Sequence, residues 1–316
     1  MSEMNAIRAH HRGGPEQLTY EKAPRPQPGP GDILVAVRAA SVTAGELDWD
    51  ATWTDSFDGS GHDRTPTIPS HEFSGVVAAL GDGATGWQEG DEVYGLVPFT
   101  RDGAAAEYVA LPAYAATAKP ASLTHDQAAA VPLAALTAWQ ALVDHARVRP
   151  GQRVLVHGGA GGVGAFVVQI ATALGADVTA TVGPNDLEFV RSLGADTAID
   201  YVHQRFEDEI DPVDVVVDLA GGRTLAKSWN VLRPGGFLIG IAAPPDQQEA
   251  ERHNAHGVFF IVEPDRAGLE SITRLIQEGR LTPTVDRVLP LTEGRAAYEA
   301  LEREHQRGKI VLHIDD

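Results

Sequence analysis

Short apolar runs alternate with amphipathic stretches through the second half of the chain. The apolar core of residues 213–219 is bracketed by acidic residues, which is typical of a strand buried within a parallel sheet. Alternating patterns predict further strands at 177–182, 197–199, 237–241 and 258–262, and helices at 187–193, 224–232 and 269–277. This regular alternation of strand and helix predicts an α/β fold with a doubly wound parallel sheet.

One strand–helix–strand unit, residues 154–182, carries a glycine-rich turn. Gly159, Gly161 and Gly164 follow a short apolar strand and lead into a helix predicted at 163–174, with the spacing G-x-G-x-x-G. In this pattern the first glycine makes the tight turn, the second lets a pyrophosphate approach the backbone, and the third lets the helix pack against the strand. The pattern predicts a dinucleotide site at the helix N-terminus; the alternative is a glycine-rich helix entry without a ligand.

The first 120 residues have a different, β-rich pattern, with strands predicted at 33–37, 75–80, 91–96 and 107–111. From residue 123 the pattern becomes helical. One helix is predicted to begin after a cap at Ser122 or Thr124 and to run through 128–131, and a second helix is predicted at 134–146. After Arg280 short strands return at 285–289 and 310–314, around a helix at 295–304. We therefore predict two domains: residues 1–120, completed by 282–316, and a dinucleotide-binding domain of residues 121–281.

The end of the second strand of the nucleotide unit bears on the choice of cofactor. An NAD site usually has an Asp or Glu there, which binds the ribose 2′-hydroxyl. Here the strand ends through Thr181 and continues to Asn185 without a carboxylate at its tip, whereas Asp186 and Glu188 fall in the first turn of the next helix. This favours NADPH over NADH, although no Arg or Lys stands beside the tip to bind the 2′-phosphate.

Composition narrows the class of protein. The chain of 316 residues has a formal net charge of −19, which argues against nucleic-acid binding, because that function needs a basic surface. It contains no cysteine, which excludes disulfides, thiolate nucleophiles and cysteine-ligated zinc. We read neither a signal peptide nor a membrane span, and so expect a cytoplasmic protein without membrane partners.

Ten segments spread over nearly the whole chain carry a family resemblance. They are GGPEQL, PGPGDILVAVRAASV, IPSHEFSGVV, GWQEGDEVYG, GAAAEYV, AAAVPLAALTAWQAL, VLVHGGAGGVG, LGADTAIDY, LRPGGFLIGI and GKIVL. Together they resemble the medium-chain dehydrogenase/reductase superfamily, and within it the zinc-independent quinone oxidoreductases of the zeta-crystallin type and the enoyl reductases. The resemblance implies a GroES-like β-barrel domain and a Rossmann domain, an active site in the cleft between them, and a homodimer.

The same resemblance implies positions for the cofactor. Thr137 would lie near the nicotinamide amide, Thr181 near the adenosine ribose, and Tyr201 at the 2′-phosphate of NADP. The remaining cofactor positions are the pyrophosphate turn Gly161, Gly162 and Val163, the adenosine side Ala220 and Gly221, and the nicotinamide side Ile241, Ala242, Phe260 and Val262. For each residue the alternative is a role in the core or in a turn.

The chain also departs from its relatives. Many of them carry Asn at the position of Thr43 and a carboxylate a few residues later, a place that Glu46 or Asp48 fills here. The pair His71-Glu72 is similar to that of zinc alcohol dehydrogenases, in which the histidine binds zinc together with cysteine. Because this chain has no cysteine, we expect no metal and interpret His71 as a hydrogen-bonded histidine of the cleft.

The predicted reaction is hydride transfer from NADPH to a small-molecule acceptor, either a quinone or an α,β-unsaturated carbonyl, since such acceptors delocalise negative charge. Thr43, Trp49, Trp53 and His71 are candidates for the acceptor pocket; for the two tryptophans the alternative is a surface loop with buried aromatics. Thr43, His71 and the tyrosines are candidate proton donors. The rival functions are a carbonyl or tailoring reductase of a biosynthetic pathway, and an NADPH-binding scaffold or sensor without turnover.

Overall fold

The computed structural model describes residues 2–56 and 59–315. The chain forms two compact units, of which the first comprises Met1–Leu133, Glu263–Thr273 and Pro283–Asp316, and the second Ala134–Val262 and Arg274–Thr282. The first unit thus extends past the predicted boundary at residue 120, because Ala129 and Ala130 pack into a cluster with Ala39 and Val311.

Extended segments of both units have the following bounds. The strands are β1 (Glu3–Ala9), β2 (Leu18–Pro24), β3 (Asp32–Val42), β4 (Glu72–Leu80), β5 (Glu92–Leu96), β6 (Tyr108–Pro112), β7 (Ala116–Ala118), β8 (Arg153–His157), β9 (Asp177–Val182), β10 (Thr197–Asp200), β11 (Val213–Asp218), β12 (Leu232–Gly240), β13 (His256–Phe259), β14 (Val285–Pro290) and β15 (Lys309–His313).

The helices follow the same order along the chain. They are α1 (Asp50–Trp53), α2 (His125–Ala129), α3 (Pro132–Trp139), α4 (Gly164–Ala173), α5 (Leu187–Ser192), α6 (Phe206–Glu209), α7 (Gly222–Ser228), α8 (Gln247–Arg252), α9 (Arg266–Gln277) and α10 (Gly294–Arg303). Thr124 is the residue that caps α2: its hydroxyl accepts the N–H of Gln127, and the Gln127 side chain accepts the N–H of Thr124.

A six-stranded parallel sheet forms the centre of the second unit, with the strand order β10-β9-β8-β11-β12-β13. This order confirms the predicted doubly wound sheet. The chain runs outward from β8 to β10 and then crosses to β11 on the other side of β8. Two neighbouring loops therefore diverge at the carboxyl ends of β8 and β11, where open α/β sheets bind their ligands.

The first unit is built on a mostly antiparallel sheet with the order β14-β15-β3-β4-β5-β7, in which β6 also pairs with β3. The long strand β3 pairs with β4, β6 and β15, so it holds the C-terminal strand against the N-terminal region. The C-terminal strand is thus part of the sheet of the first unit. A separate antiparallel hairpin is formed by β1 and β2.

Candidate active site

Most predicted cofactor residues follow the carboxyl ends of the parallel strands. Thr181 is the second-last residue of β9. Gly161 follows β8, Ala220 follows β11, Ile241 follows β12, and Phe260 follows β13. Because the strands are parallel and adjacent, these positions lie along one edge of the sheet. β13 ends before residue 262, earlier than predicted, so both Phe260 and Val262 lie beyond it.

The glycines of the turn after β8 are required for two different reasons. A Cβ at Gly164 would lie 2.1 Å from the carbonyl oxygen of Gly158, and a Cβ at Gly159 would lie 2.9 Å from the Cβ of Ala180. At Gly161 the nearest atom, again the oxygen of Gly158, would be 3.6 Å away, which is ordinary contact. Packing thus demands two of the glycines, whereas a Cβ at Gly161, close to the N-terminus of α4, would make only ordinary contact; the pyrophosphate contact there stays a prediction.

The tip of β9 is uncharged at the surface. Asp186 is buried, and Asn185 is exposed. The ring of Tyr201 is 63% exposed, and its hydroxyl oxygen lies 3.8 Å from where a Cβ on Gly183 would be. The backbone N–H of Tyr201 donates to the carbonyl of Val182 at 3.1 Å, which fixes the tyrosine beside the tip. An exposed hydroxyl and an exposed amide are therefore the polar groups here.

Thr181 supports the glycine turn from inside the unit. Its carbonyl accepts the N–H groups of Gly158 and Gly159, and its hydroxyl lies 2.9 Å from Nδ1 of His157. His157 is fully buried, its Nε2 lies 3.1 Å from the Ser228 hydroxyl, and burial lowers its pKa to about 4. The hydroxyl of Thr181 is thus engaged by a neutral histidine, and its predicted contact with the ribose stays a prediction.

The turn after β11 is held by a buried carboxylate that the sequence patterns did not single out. Oδ1 of Asp218 accepts the N–H groups of Ala220 at 3.1 Å and Gly221 at 2.5 Å. Burial raises the pKa of Asp218. The backbone N–H groups of Ala220 and Gly221, the two predicted adenosine-side residues, are therefore already engaged by Asp218.

A π-helical turn lies close in sequence to Thr137, the residue predicted near the nicotinamide amide. α3 continues directly into a π-helical turn, Gln140–His145, and Thr137 is buried just before it. Such turns occur frequently at functional sites. The ring of His145 packs against Phe260, with 4.5 Å between the ring centroids.

In the first unit, the side chain of Lys309 contacts Thr43, a candidate for the acceptor pocket, and Glu72, the neighbour of His71. Its ammonium lies 2.7 Å from Oε1 of Glu72 and donates to the hydroxyl of Thr43 at 3.1 Å. The other oxygen of Glu72 accepts the N–H of Leu133 at 2.9 Å. Both charged side chains are almost completely buried, so the pair is shielded from solvent. Lys309 has no local sequence signal for this role, although it is one of four lysines and stands in the GKIVL segment.

Glu46, rather than Asp48, is the carboxylate that points inward. Its Oε1 accepts the N–H of Ser70 at 2.8 Å, and its Oε2 accepts the hydroxyl of Tyr298 at 2.6 Å. The side chain is fully buried, and this burial raises the pKa of Glu46 to about 7. Asp48 is exposed. Sequence does not single out Tyr298 among the candidate tyrosines, because it comes from α10, far away in the sequence.

The aromatic candidates separate into two environments. Trp49 meets Phe99 edge-on with 5.5 Å between ring centroids, and Phe99 packs at 4.9 Å against the ring of His71. Trp53 is 2% exposed, belongs to the hydrophobic core of the first unit, and donates its indole N–H to the carbonyl of Leu47. Trp49 and His71 thus share an aromatic cluster, whereas Trp53 has the core role that the sequence left as the alternative.

The residues near His71 do not suit zinc. The chain has no cysteine, and no group of three or more His, Asp and Glu side chains within residues 2–56 and 59–315 is arranged to hold a metal. The ammonium of Lys309 lies between Thr43 and Glu72, so a cation already neutralises that carboxylate. His71 is buried and burial lowers its pKa to about 3, with the guanidinium of Arg64 adding to the effect.

Two family models and several known proteins match this chain. Residues 29–121 match the model of the alcohol dehydrogenase GroES-like domain, and residues 193–312 match the model named zinc-binding dehydrogenase. A probable mitochondrial zinc-binding oxidoreductase of Arthroderma benhamiae is 33% identical, over 94% of this chain and 93% of the relative. Within the described residues no helix has the length and apolar character needed to cross a bilayer.

Two further similarities cover most of this chain. The chloroplastic NADPH-dependent alkenal/one oxidoreductase of Arabidopsis thaliana is 35% identical, over 78% of this chain and 64% of the relative. The solved quinone oxidoreductase of Coxiella burnetii superposes with a TM-score of 0.89 and 30% identity, over 99% of this chain and 100% of that structure.

Proposed function

This chain belongs to the medium-chain dehydrogenase/reductase family of oxidoreductases, and we propose that it reduces a quinone or an α,β-unsaturated carbonyl with NADPH, without zinc. The observation that carries the proposal is the turn after β8, where a Cβ at Gly161, close to the N-terminus of α4, would meet no protein atom closer than 3.6 Å. The alkenal/one and quinone oxidoreductases among its relatives support the class of acceptor.

The bound cofactor supplies the hydride, and the chain binds and orients it. The turn Gly161, Gly162 and Val163 would hold the pyrophosphate, and Thr137 and Ile241 would flank the nicotinamide. Trp49, Phe99 and His71 would line the acceptor pocket, because they form one aromatic cluster. Zinc independence is supported by Lys309, which serves as the cation beside Glu72 and Thr43.

The acceptor class is tested by following NADPH oxidation with a benzoquinone, an enone and an aldehyde, after dialysis against a chelator and elemental analysis. We expect turnover with the quinone or the enone by metal-free protein. Turnover with the aldehyde alone would favour a carbonyl reductase, and tight NADPH binding without turnover would favour a scaffold. Activity that is proportional to bound zinc would contradict the proposal.

A preference for NADPH over NADH is proposed from the uncharged tip of β9 and the exposed ring of Tyr201. Replacing Tyr201 by alanine is expected to weaken NADPH binding about tenfold, through loss of the ring and hydroxyl at the 2′-phosphate, and to leave NADH binding nearly unchanged. Titration calorimetry with both cofactors measures this. Tyr114→Ala is the matched control, since Tyr114 is 60% exposed and belongs to the other unit. Equal weakening of both cofactors would refute the role of Tyr201.

A homodimer is proposed through β13, the edge strand of the parallel sheet. An open edge strand pairs readily with the same strand of a second copy about a two-fold axis. Phe259 is 47% exposed and Ile261 is 48% exposed, which leaves apolar surface at that edge. Light scattering is expected to give twice the mass of the chain, and Phe259→Lys to give the single mass. A monomeric wild type would exclude the dimer.

Cytoplasmic location stays a prediction.

A further inference from the structure

A buried acid lies behind the aromatic cluster of the first unit. Glu46 is fully buried, and each of its carboxyl oxygens has one donor, the N–H of Ser70 and the hydroxyl of Tyr298. The Tyr298 hydroxyl also lies 3.2 Å from the Ser70 hydroxyl. A carboxyl group enclosed in this way is costly to keep ionised.

The backbone next to this acid is strained. Ser70 has φ of 69°, in the left-handed region that a non-glycine residue rarely adopts. Its N–H is fixed by Glu46, and its carbonyl accepts the N–H of Ala104 at 2.5 Å. Strain of this kind persists where the surroundings over-determine a conformation and is concentrated at functional sites. Here it sets the direction of the next residue, His71.

His71 has one nitrogen towards Glu46 and one without a partner. Its Nε2 lies 3.8 Å from Oε1 of Glu46, slightly longer than a hydrogen bond. Its Nδ1 is buried and has no hydrogen-bond partner of normal geometry among the described residues, although the backbone of Val97 raises the pKa of the ring to a smaller extent than burial lowers it. A buried polar atom left unpaired in this way requires an explanation, and a bound substrate provides one. Catalytic hydrogen bonds are often long before the substrate arrives.

We propose that Glu46 stores the proton that His71 delivers to the reduced acceptor; this inference rests on the proposed function. After hydride addition at the β-carbon of an enone, the electron pair of the C=C bond forms an enolate. Nδ1–H of His71 gives its proton to the enolate, while Nε2 takes the carboxyl proton of Glu46. Glu46 is left as a carboxylate; after the product leaves, Nδ1 takes a proton from water and Nε2 returns its proton to Glu46, which restores both groups. His71 remains neutral throughout, as its buried position requires.

The charges around Glu46 fit a group that releases and regains a proton near neutral pH. Burial and the carboxylate of Glu72 raise the pKa of Glu46, whereas Tyr298, the Ser70 N–H and the ammonium of Lys309 lower it, with the balance at about 7. Tyr298 itself stays protonated, because burial and the adjacent Glu46 raise its pKa.

Glu46→Gln tests the proposal, because a glutamine keeps an acceptor for Ser70 and a partner for Tyr298 but carries no acidic proton. We expect kcat for an enone to fall about 100-fold, the size of a general-acid contribution. The loss with a quinone should be far smaller, because a hydroquinone anion takes its proton from water. Glu107→Gln is the control, since Glu107 is a part-buried carboxylate of the same unit that accepts two N–H groups from Asn5. It should keep both rates.

The pH dependence separates proton storage from a structural role. In the wild type, kcat for the enone should fall as pH rises through about 7, because only protonated Glu46 has a proton to give. Tyr298→Phe removes a hydrogen bond that lowers the pKa of Glu46, so the fall should move to higher pH. Glu46→Gln should lack this fall.

Three results would overturn the proposal. One is a wild-type enone rate in Glu46→Gln, which would leave the proposed function intact. Another is an equal loss with both acceptors together with a lower melting temperature, which would assign Glu46 a structural role. The third is a wild type that oxidises NADPH with neither acceptor, in which case the proposed function fails as well.

Discussion

Gly161→Val is expected to weaken NADPH binding at least about 100-fold while leaving the melting temperature close to that of the wild type. A Cβ at this position meets no protein atom closer than 3.6 Å, so we expect the fold to tolerate a side chain there. The same side chain would occupy the space in which the pyrophosphate approaches the turn, and several charge-assisted hydrogen bonds would be lost together. Calorimetric titration with NADPH and a thermal melt measure the two effects.

Gly164→Val serves as the contrasting variant for this experiment. Its Cβ would lie 2.1 Å from the carbonyl oxygen of Gly158, so the turn must move and the free energy of unfolding should fall by about 3 kcal/mol. If Gly161→Val bound NADPH as tightly as the wild type, the glycine turn would not be the pyrophosphate site. If Gly161→Val lowered the free energy of unfolding as much as Gly164→Val, the turn would not tolerate a side chain at Gly161.

Lys309→Met is expected to lower the free energy of unfolding by about 3 kcal/mol, because it leaves the buried carboxylate of Glu72 without its counter-charge. Adding Glu72→Gln should restore much of the loss, since the neutral amide still accepts the N–H of Leu133. Denaturant unfolding of both single variants and the double variant measures the coupling.

Arg295→Met is the matched control for the buried pair. Arg295 pairs with Glu299 on the exposed face of α10, and surface pairs of this kind contribute about 0.5 kcal/mol. A loss at Lys309 no larger than at Arg295 would mean that the Lys309–Glu72 pair is solvated in solution. The interpretation of Lys309 as the cation of this site would then be withdrawn.

The nucleotide unit was predicted well from sequence because its signals are local. β8, the glycine turn and α4 are contiguous, and the hydrophobic period changes from strand to helix within them. The predicted helix at 163–174 agrees with α4 to within one residue at each end. α6 and α8 escaped prediction because short helices with acidic faces give almost no apolar period.

The site of the first unit could be predicted only in part, because its contacts are long-range. Glu46 and the pair His71-Glu72 were visible as candidates. Their partners, Tyr298 for Glu46 and Lys309 for Glu72, come from the C-terminal elements α10 and β15. The sequence does not distinguish Trp49 from Trp53. Only the packing in the structure shows that Trp49 belongs to the aromatic cluster and Trp53 to the hydrophobic core. Single-chain patterns carry no information on such pairings.

Hydride transfer from the cofactor is measured most directly with NADPH labelled with deuterium at the nicotinamide C4, an enone and metal-free protein. We expect the product to carry one deuterium at the β-carbon, the α-carbon to take its hydrogen from water, and Gly161→Val to make almost no labelled product. Product without deuterium at the β-carbon, or labelled NADPH recovered unchanged beside unreduced enone and quinone, would contradict the proposed hydride transfer.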